Sequence, residues 1–295
     1  TPGEQPRAVR GLIKLNTNEN PYPPSPVVAK ALCDYDPARL RLYPDPVSVD
    51  LRKAIAKMHR CGIENVFVSN GYDEVLALCT RAFVEDNGSV GYFNPSYSLY
   101  PVLADIRGVK KKPVELGAGF EWRMPAGYRC SLFFLTSPNA PTGIQYPRSI
   151  VELFCRKFRG VVVIDEAYVD FSRDNFMDLA VKMKNVLVMR TLSKSYSLAG
   201  LRLGYTVGPA KLIAALFKIK DSYNIDGLTQ KIALAAISDK KHMLANVRKI
   251  VRTRERLTGE LRDMGFTVYP SESNFIWVKP AGISAENLFR RLREK

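Results

Sequence analysis

The chain has 295 residues, of which 46% are hydrophobic and 25% charged, as is typical of a globular protein with a sizeable core in one or two domains. No apolar stretch approaches the roughly 18 residues of a membrane span, which argues against a transmembrane protein. The net charge of +15 comes from scattered basic residues without a nucleic-acid-binding motif, so we expect solvated helix faces and no nucleic-acid partner.

The predicted elements alternate between helices and short apolar strands. An amphipathic helix is predicted from about 48 to 60, with Leu51, Ile55 and Met58 on one face. Helices are also predicted over 75–84 and 150–158. The strand candidates are 66–69, 90–93, 132–136, 161–164, 186–190 and 203–207. This alternation predicts an α/β fold in which helices cover both faces of a mostly parallel sheet.

The C-terminal part has a different pattern. A long helix is predicted over 242–264, followed by strands at 266–269 and 275–278 and a helix from Ser284. We therefore predict a smaller α+β domain there. The predicted organisation is an N-terminal arm with part of the small domain over 1–42, a large cofactor-binding domain over 43–241, and an incomplete small domain over 242–295.

One lysine follows a buried strand in a setting that suits covalent chemistry. Lys194 comes just after the apolar run 186–189, hydroxyl residues flank it, and Arg202 follows eight positions later. A Schiff-base enzyme needs an amine that meets an aldehyde, and donors nearby that hold a phosphate.

Two further segments place suitable groups after strands. Asp165 ends the apolar run 161–164, where a carboxylate can pair with a protonated pyridine nitrogen, and Tyr168 can reach the same ring. Gly71 follows the strand 66–69 and precedes a helix, whose first N–H groups can bind a phosphate.

A metal site is not predicted. The two histidines, His59 and His242, are too far apart for a metal cluster or a Ser-His-Asp hydrolase. The five cysteines show no CxxC spacing and lie mostly in apolar runs, which favours reduced thiols in a cytoplasmic protein.

Together these segments resemble the fold-type I pyridoxal-phosphate-dependent aminotransferases and, within them, the histidinol-phosphate aminotransferase subfamily. The resemblance covers nearly the whole chain and rests on the order and spacing of segments at 15–22, 43–45, 70–74, 95–97, 141–143, 165–168, 191–194 and 272–275. It implies pyridoxal 5'-phosphate as cofactor and a large domain with a mostly parallel sheet plus a smaller α+β domain.

The resemblance assigns the central chemical roles to three residues. Lys194 forms the Schiff base with the cofactor and then acts as the base that moves a proton. Asp165 keeps the pyridine nitrogen protonated, and Tyr168 binds the phenolic oxygen of the ring.

The remaining roles are also implied by the resemblance. Tyr97 stacks on the ring, and Tyr43 reaches the phosphate from the second subunit of a homodimer. Tyr22 and Tyr223 face the substrate. The phosphate is bound by the turn at Gly71, backbone N–H groups of Tyr72 and Asp73, and the side chains of Thr191, Ser193 and Arg202.

The chain departs from the family pattern at three places. Ala140 stands where an asparagine usually binds the phenolic oxygen, and whether Asn139 replaces it is open. Tyr72 occupies a position where a small residue is usual, which is tolerable if only its backbone is used. The arginines that bind substrate in the family are expected beyond Lys295.

The expected reaction is reversible transamination in histidine biosynthesis, in which L-histidinol phosphate and 2-oxoglutarate give imidazole-acetol phosphate and glutamate. The same motifs also fit an aromatic amino acid aminotransferase or a threonine-phosphate decarboxylase, so the donor and acceptor remain open. A cofactor-binding regulator without turnover is disfavoured by the lack of a DNA-binding domain, and a basic nucleic-acid module by the scattered charge.

Overall fold

The computed structural model describes residue 5 and residues 12–294, and most of it is one seven-stranded sheet between helices. The strands are β1 (Val66–Asn70), β2 (Ser89–Asn94), β3 (Lys110–Glu115), β4 (Leu132–Thr136), β5 (Val161–Asp165), β6 (Val186–Thr191), β7 (Leu203–Val207), β8 (Thr267–Val268) and β9 (Val278–Lys279). The α-helices are α1 (Pro26–Cys33), α2 (Val49–His59), α3 (Gly71–Phe83), α4 (Leu99–Arg107), α5 (Arg148–Lys157), α6 (Met177–Lys182), α7 (Ala210–Ile219), α8 (Gly227–Ser238), α9 (Lys240–Asp263) and α10 (Ala285–Arg293).

The large sheet has the strand order β1-β7-β6-β5-β4-β2-β3. The five strands β2 to β6 all run parallel to one another. Strand β7 runs antiparallel to both β1 and β6. The predicted α/β fold with a mostly parallel sheet is therefore confirmed. Strands β8 and β9 form a separate antiparallel pair.

Alternate side chains of the central strands enter two apolar clusters, one on each face of the sheet. In β4, Phe133 and Leu135 pack with residues of α2, α5, α8 and α9, whereas Leu132 and Phe134 pack with α3, α4 and α7. All four side chains are fully buried, and burying each contributes about 1.5–3 kcal/mol. Continuous apolar runs therefore become strands that are covered on both sides.

The edge strand β3 was not among the predicted strands. Its sequence, KKKPVE, carries three lysines and a proline, and only Val114 is buried. Lysine and proline are common on edge strands because they prevent pairing with another chain. Such a strand has no apolar run to reveal it.

The C-terminal elements follow the prediction in type but not in all their bounds. Helix α9 lies within two residues of the predicted helix, while β8 and β9 are only two residues long. Side-chain bonds within 271–275 turn the chain, with Ser271 Oγ donating to the Phe275 carbonyl at 2.5 Å, so β9 starts later than predicted. The proposed division at 42/43 and 241/242 stays a prediction.

Candidate active site

The carboxyl ends of β5 and β6 lie side by side at one edge of the sheet. Asp165 is the last residue of β5 and pairs in register with Met189 of β6. Thr191 ends β6, and Lys194 follows it in the next turn. Ligands of open α/β sheets bind at such edges, and the predicted catalytic groups come from these two strand ends.

The Lys194 side chain is partly buried under the N-terminal segment. Its Nζ donates to the Thr17 carbonyl at 2.8 Å and to the Asn18 carbonyl at 3.4 Å, and lies 5.5 Å from the centre of the Tyr168 ring. The Asn20 amide donates to the carbonyls of Lys194 and of the following residue, at 3.0 and 3.3 Å. The lysine backbone and amine are therefore both fixed.

Burial lowers the pKa of Lys194 to about 8. The nearby Glu19 carboxylate opposes this change, and the positive charge of Arg202 adds to it. A buried ammonium loses hydration, which favours the neutral amine. At neutral pH a useful fraction of this lysine is therefore a nucleophile and a base.

Asp165 is a buried carboxylate, only 2% exposed. Tyr100 Oη donates to its Oδ2 at 2.5 Å, and the Ala167 N–H donates to its Oδ1 at 3.0 Å. Burial raises the pKa of Asp165, while the tyrosine hydrogen bond opposes the rise. Among the described residues it has hydrogen-bond donors but no ion-pair partner, so the site is suited to a cationic group of a ligand.

Tyr168 lies between the lysine and the C-terminal segment. Its Oη accepts from Asn18 Nδ2 at 3.2 Å, and its ring packs edge-on against Phe275, with centroids 5.0 Å apart. Burial raises the pKa of Tyr168 to about 12. The hydroxyl therefore stays protonated at neutral pH, and its proton is available to a ligand oxygen because Asn18 supplies the bond that the oxygen accepts.

The structure answers the open question about Asn139. Its Nδ2 donates to the Pro95 carbonyl at 3.1 Å and to Thr142 Oγ1 at 3.0 Å, and its Oδ1 accepts from Ser96 Oγ at 2.9 Å. Both amide atoms of this buried side chain are therefore used within the neighbouring loops. Asn139 stabilises those loops and does not take over the role that Ala140 lacks.

The predicted phosphate turn brings Gly71 against Arg202. The Gly71 N–H donates to the Arg202 carbonyl at 2.6 Å, and a Cβ added to Gly71 would lie 2.7 Å from Arg202 Nη2. Gly71 has φ +74°, a conformation that L side chains rarely adopt. Helix α3 begins here, so the N–H groups of Tyr72 and Asp73 belong to its first turn, where partners are lacking.

The hydroxyls of Thr191 and Ser193 form a second part of this region. Thr191 Oγ1 donates to Ser193 Oγ at 2.9 Å and accepts from the Ser193 N–H at 3.1 Å. Both residues are buried. The pair keeps a hydroxyl beside the lysine turn, one residue before Lys194.

Tyr97 reaches the helix that starts at Gly71. Its Oη donates to Asp73 Oδ1 at 3.1 Å, and its ring is edge-on to Tyr100 at 5.7 Å. Burial and the charges of Asp73 and Asp165 raise the pKa of Tyr97. The ring is therefore near both the helix start and the buried carboxylate.

Tyr72 differs from the expectation that only its backbone matters. Its side chain is buried, and burial together with the Asp165 charge raises the pKa of Tyr72. Its Oη has no hydrogen-bond partner among the described residues. The hydroxyl nevertheless lies close enough to the Asp165 carboxylate to stabilise its charged form and lower the pKa of Asp165, against the rise that burial causes.

The three tyrosines predicted for the substrate and for the second subunit, Tyr22, Tyr43 and Tyr223, make other contacts. Tyr43 is 81% exposed and stacks on Tyr223 with centroids 4.4 Å apart. Tyr22 packs against the core and has Lys249 Nζ 4.7 Å from its ring centre. Among the described residues of one chain, no hydrogen bond or ring contact joins any of the three to Lys194.

Sequence reasoning did not find Tyr100, Asn18 or Asn20. Tyr100 follows Tyr97 by three residues in α4, a helix that was not predicted. Asn18 and Asn20 belong to the segment 15–22, in which the resemblance gives a role only to Tyr22. Their contacts cross more than 140 residues, so only the folded chain reveals them.

A cavity of about 700 Å³ lies elsewhere in the described part of the chain. Its lining includes Ser131, Gly160 and Asn185, which precede β4, β5 and β6, so it opens at the opposite edge of the sheet. None of the predicted site residues lines it. In the described ranges, moreover, no cluster of metal-ligating side chains occurs, and no helix has the length and apolar character needed to cross a bilayer.

The residues present fit pyridoxal 5'-phosphate. The buried Asp165 carboxylate has room in its hydrogen-bonding for a cationic ring nitrogen, and Lys194 supplies an amine with a lowered pKa. The absence of a Cβ at Gly71 lets the Arg202 guanidinium lie against the start of α3, and this cation together with the first N–H groups of the helix is suited to a phosphate.

Comparisons with known proteins agree with this geometry. Residues 10–295 match the family model "Aminotransferase class I and II". A histidinol-phosphate aminotransferase of Geobacter sp. (strain M21) is 43% identical over 295 residues, covering 100% of this chain and 84% of that protein. The corresponding protein of Geobacter sulfurreducens is 44% identical over 287 residues, covering 95% and 81%.

Solved structures show the same fold. A histidinol-phosphate aminotransferase from Sinorhizobium meliloti, in complex with pyridoxal-5'-phosphate, has a TM-score of 0.80 at 26% identity and is matched over 89% of this chain and 74% of that one. A putative histidinol-phosphate aminotransferase from Erwinia carotovora atroseptica has a TM-score of 0.86 at 22% identity, covering 94% and 84%. This chain belongs to the class I and II aminotransferase family.

Proposed function

We propose that this protein is a pyridoxal-phosphate-dependent aminotransferase that interconverts L-histidinol phosphate and 2-oxoglutarate with imidazole-acetol phosphate and glutamate. The chemistry rests on one observation, the partly buried Lys194 amine with a pKa of about 8 beside Tyr168 and the strand end that carries Asp165. The substrate assignment rests on the relatives of 41–44% identity that carry this name.

Several residues would hold the cofactor. The first turn of α3 after Gly71, the Ser193 hydroxyl and Arg202 are placed for the phosphate, and Asp165 for the ring nitrogen. The Tyr168 hydroxyl, which accepts from Asn18, would donate to the phenolic oxygen. When bound, the cofactor supplies an aldehyde for the amine and an electron-withdrawing ring.

Lys194 performs the proton transfer. Its neutral Nζ would accept the proton from the carbon that carries the amino group of the substrate. It would then deliver this proton to the carbon that was the aldehyde of the cofactor. An ordinary lysine is almost entirely protonated at pH 7, whereas the lowered pKa of Lys194 keeps a fraction neutral. The N-terminal segment covers the amine and limits access of water.

A homodimer completes the proposed site. Tyr43 is highly exposed in the single chain, and Leu40 and Leu42 beside it are 68% and 55% exposed. Exposed apolar side chains this close together along the chain favour contact with a second copy. We propose that Tyr43 of the second copy reaches the phosphate, while Tyr22 and Tyr223 contact the substrate.

The five cysteines are all free in the structure. Unpaired cysteines of which two are buried, Cys79 and Cys155, suit a reducing compartment. We therefore place the proposed enzyme in the cytoplasm.

A half-reaction titration tests the substrate assignment. Histidinol phosphate should change the absorbance of the cofactor-loaded protein faster, and at lower concentration, than aromatic amino acids do. Faster reaction with an aromatic amino acid would favour an aromatic aminotransferase, and release of carbon dioxide from threonine phosphate would favour the decarboxylase. Cofactor binding without any half-reaction would favour a regulator.

Borohydride reduction tests the role of Lys194. The reduced protein should carry the cofactor on the peptide that contains Lys194, and Lys194→Ala should lose this label and nearly all turnover. Lys184→Ala, a change at an exposed lysine, should keep both. Full turnover in Lys194→Ala would reject the assignment.

A further inference from the structure

A buried ionic network lies directly behind the two catalytic strand ends. It consists of Glu166, Asp170, Arg190 and Ser195, which we call the Arg190 network. Glu166 is the residue after Asp165, and Ser195 is the residue after Lys194. The network therefore connects the backbone neighbours of both proposed catalytic residues.

Arg190 forms the centre of the network. Its Nε and Nη2 both lie 2.8 Å from Glu166 Oε2, and its Nη1 lies 3.9 Å from Asp170 Oδ1. The Glu166 side chain is completely buried and that of Arg190 is 15% exposed. Glu166 Oε1 also accepts from the Phe176 N–H, so the carboxylate is fixed on both oxygens.

The network reaches the lysine turn through one hydroxyl. Ser195 Oγ donates to Asp170 Oδ2, and Ser195 is only 2% exposed. From the other side, Asn20 holds the carbonyls of Lys194 and Ser195. The backbone at Lys194 and Ser195 is therefore held by the Asn20 amide and, through the Ser195 hydroxyl, by the Asp170 carboxylate.

The charges of the network have a physical consequence for the fold. Burial alone would lower the pKa of Arg190, but the Glu166 carboxylate raises it, so the guanidinium stays charged. Buried ion pairs of this kind add little net stability, although breaking one leaves an uncompensated charge. Such pairs can hold one conformation. Here they hold β5, β6 and the turn at Lys194 in fixed positions relative to one another.

We infer that the Arg190 network is a positioning device for Lys194, in which the Ser195–Asp170 hydrogen bond fixes the lysine turn relative to the Asp165 strand end. This inference rests on the proposed function and deepens it. None of the four residues touches the reacting atoms, so they are positioning residues. Displacement of a reacting group by about 1 Å can reduce a rate by roughly a hundred-fold.

The chain offers a matched control for the hydroxyl. Ser197 lies in the same turn, two residues after Ser195, and its buried Oγ has no hydrogen-bond partner among the described residues. Ser195→Ala removes the bond to Asp170, while Ser197→Ala removes a hydroxyl of the same type without a bond. Asp170→Asn keeps the size of the side chain but removes the charge that faces Arg190.

Two readouts distinguish positioning from a merely structural role. For the cofactor-loaded protein we expect Ser195→Ala and Asp170→Asn to lower kcat roughly ten-fold or more with little change in KM. The pH midpoint for acetylation of Lys194 by acetic anhydride, followed by mass spectrometry in protein freed of cofactor, should rise as the amine gains solvent. The melting temperature should fall more in Ser195→Ala than in Ser197→Ala, because only Ser195 donates a hydrogen bond to a carboxylate, so the kcat and the acetylation midpoint decide between the two roles.

A double-mutant cycle completes the test. If Ser195 and Asp170 act through one contact, Ser195→Ala in the Asp170→Asn background should add little further loss. Equal kcat and equal acetylation midpoints in Ser195→Ala and Ser197→Ala would overturn the inference.

If the wild-type protein binds no pyridoxal phosphate, the proposed function fails and the acetylation midpoints alone decide the inference. Binding without turnover of histidinol phosphate rejects only the proposed substrate.

Discussion

At the scale of single residues, the decisive property of the site is the protonation of one amine. Among the described residues, Lys194 contacts two backbone carbonyls and no carboxylate directly, although Glu19 is close enough to oppose the loss of the proton. Burial outweighs that carboxylate and lowers the pKa of Lys194 to about 8. The N-terminal segment that covers Lys194 thereby lowers the pKa of a residue that lies more than 170 positions away in the sequence.

Capture of pyridoxal phosphate by Lys194 should therefore depend on pH with a midpoint of about 8. Only the neutral amine attacks an aldehyde, so the rate should rise with pH and level off above the midpoint. At pH 7 about one tenth of the amine is neutral, against less than one in a thousand for an ordinary lysine. Stopped-flow absorbance between pH 6 and 10 measures this dependence.

Two results would contradict that account. A midpoint near the ordinary lysine value would mean that the site does not desolvate the amine. An unchanged profile in Glu19→Gln would mean that Glu19 does not oppose the shift, since removal of its charge should lower the midpoint further.

At the scale of elements, the turn from β1 into α3 joins a glycine with positive φ to a cationic side chain. In Gly71→Ala we expect the affinity for pyridoxal phosphate to fall roughly ten-fold, because the added Cβ displaces the Arg202 guanidinium and φ +74° disfavours alanine. Gly200→Ala is the control, because a Cβ there meets nothing within 4 Å. Fluorescence titration with the cofactor gives both dissociation constants. Equal affinities in the two variants would show that this turn does not bind the phosphate.

The sequence predicts the elements that are buried and apolar. The runs that became β4, β5 and β6 have no other stable place than the centre of a covered sheet, so their type and nearly their bounds could be predicted. Strand β3 could not, because its pairing with β2 supplies the strand geometry and its side chains stay exposed. Local pattern reveals burial, and Val114 is the only buried residue of β3.

The same limit applies to the candidate site. Lys194 and Asp165 could be proposed because each follows an apolar strand, and strand ends meet at one edge. The partners of these groups could not, because Asn18 and Asn20 approach from the N-terminal segment and Tyr100 approaches from α4. Those contacts are products of packing and leave no local spacing in the chain.

At the scale of the whole molecule, His59 links stability to pH. Burial, with added repulsion from Arg190, lowers the pKa of His59 to about 3, and its Nε2 lies 3.0 Å from Tyr205 Oη. The unfolded chain binds a proton near the ordinary value of 6.5 whereas the folded chain does not. The unfolding free energy should therefore fall as pH drops below 6.5, and this contribution should vanish above it.

From pH 7 to pH 5 the His59 contribution amounts to about 2 kcal/mol, on the scale of about 1.36 kcal/mol per pKa unit. Urea denaturation at both values should show a smaller loss in His59→Gln, which keeps polar atoms beside Tyr205. Carboxylates titrate alike in both proteins, so the difference isolates the histidine. An equal loss would show that His59 accepts a proton in the folded state.

Tyr43 is exposed where it stacks on Tyr223, so its ring is accessible to a second copy of the chain. If Tyr43 serves the opposite subunit, a mixed dimer of Tyr43→Phe and Lys194→Ala chains contains one site that is wild-type at both positions. Random mixing then gives half of the dimers this single site, so activity should recover to about one quarter of the wild-type value. If Tyr43 serves its own subunit, every intact lysine is accompanied by phenylalanine, and mixing gives no gain over the separate parents. The activity of the refolded mixture therefore decides whether the proposed site is built from one chain or from two.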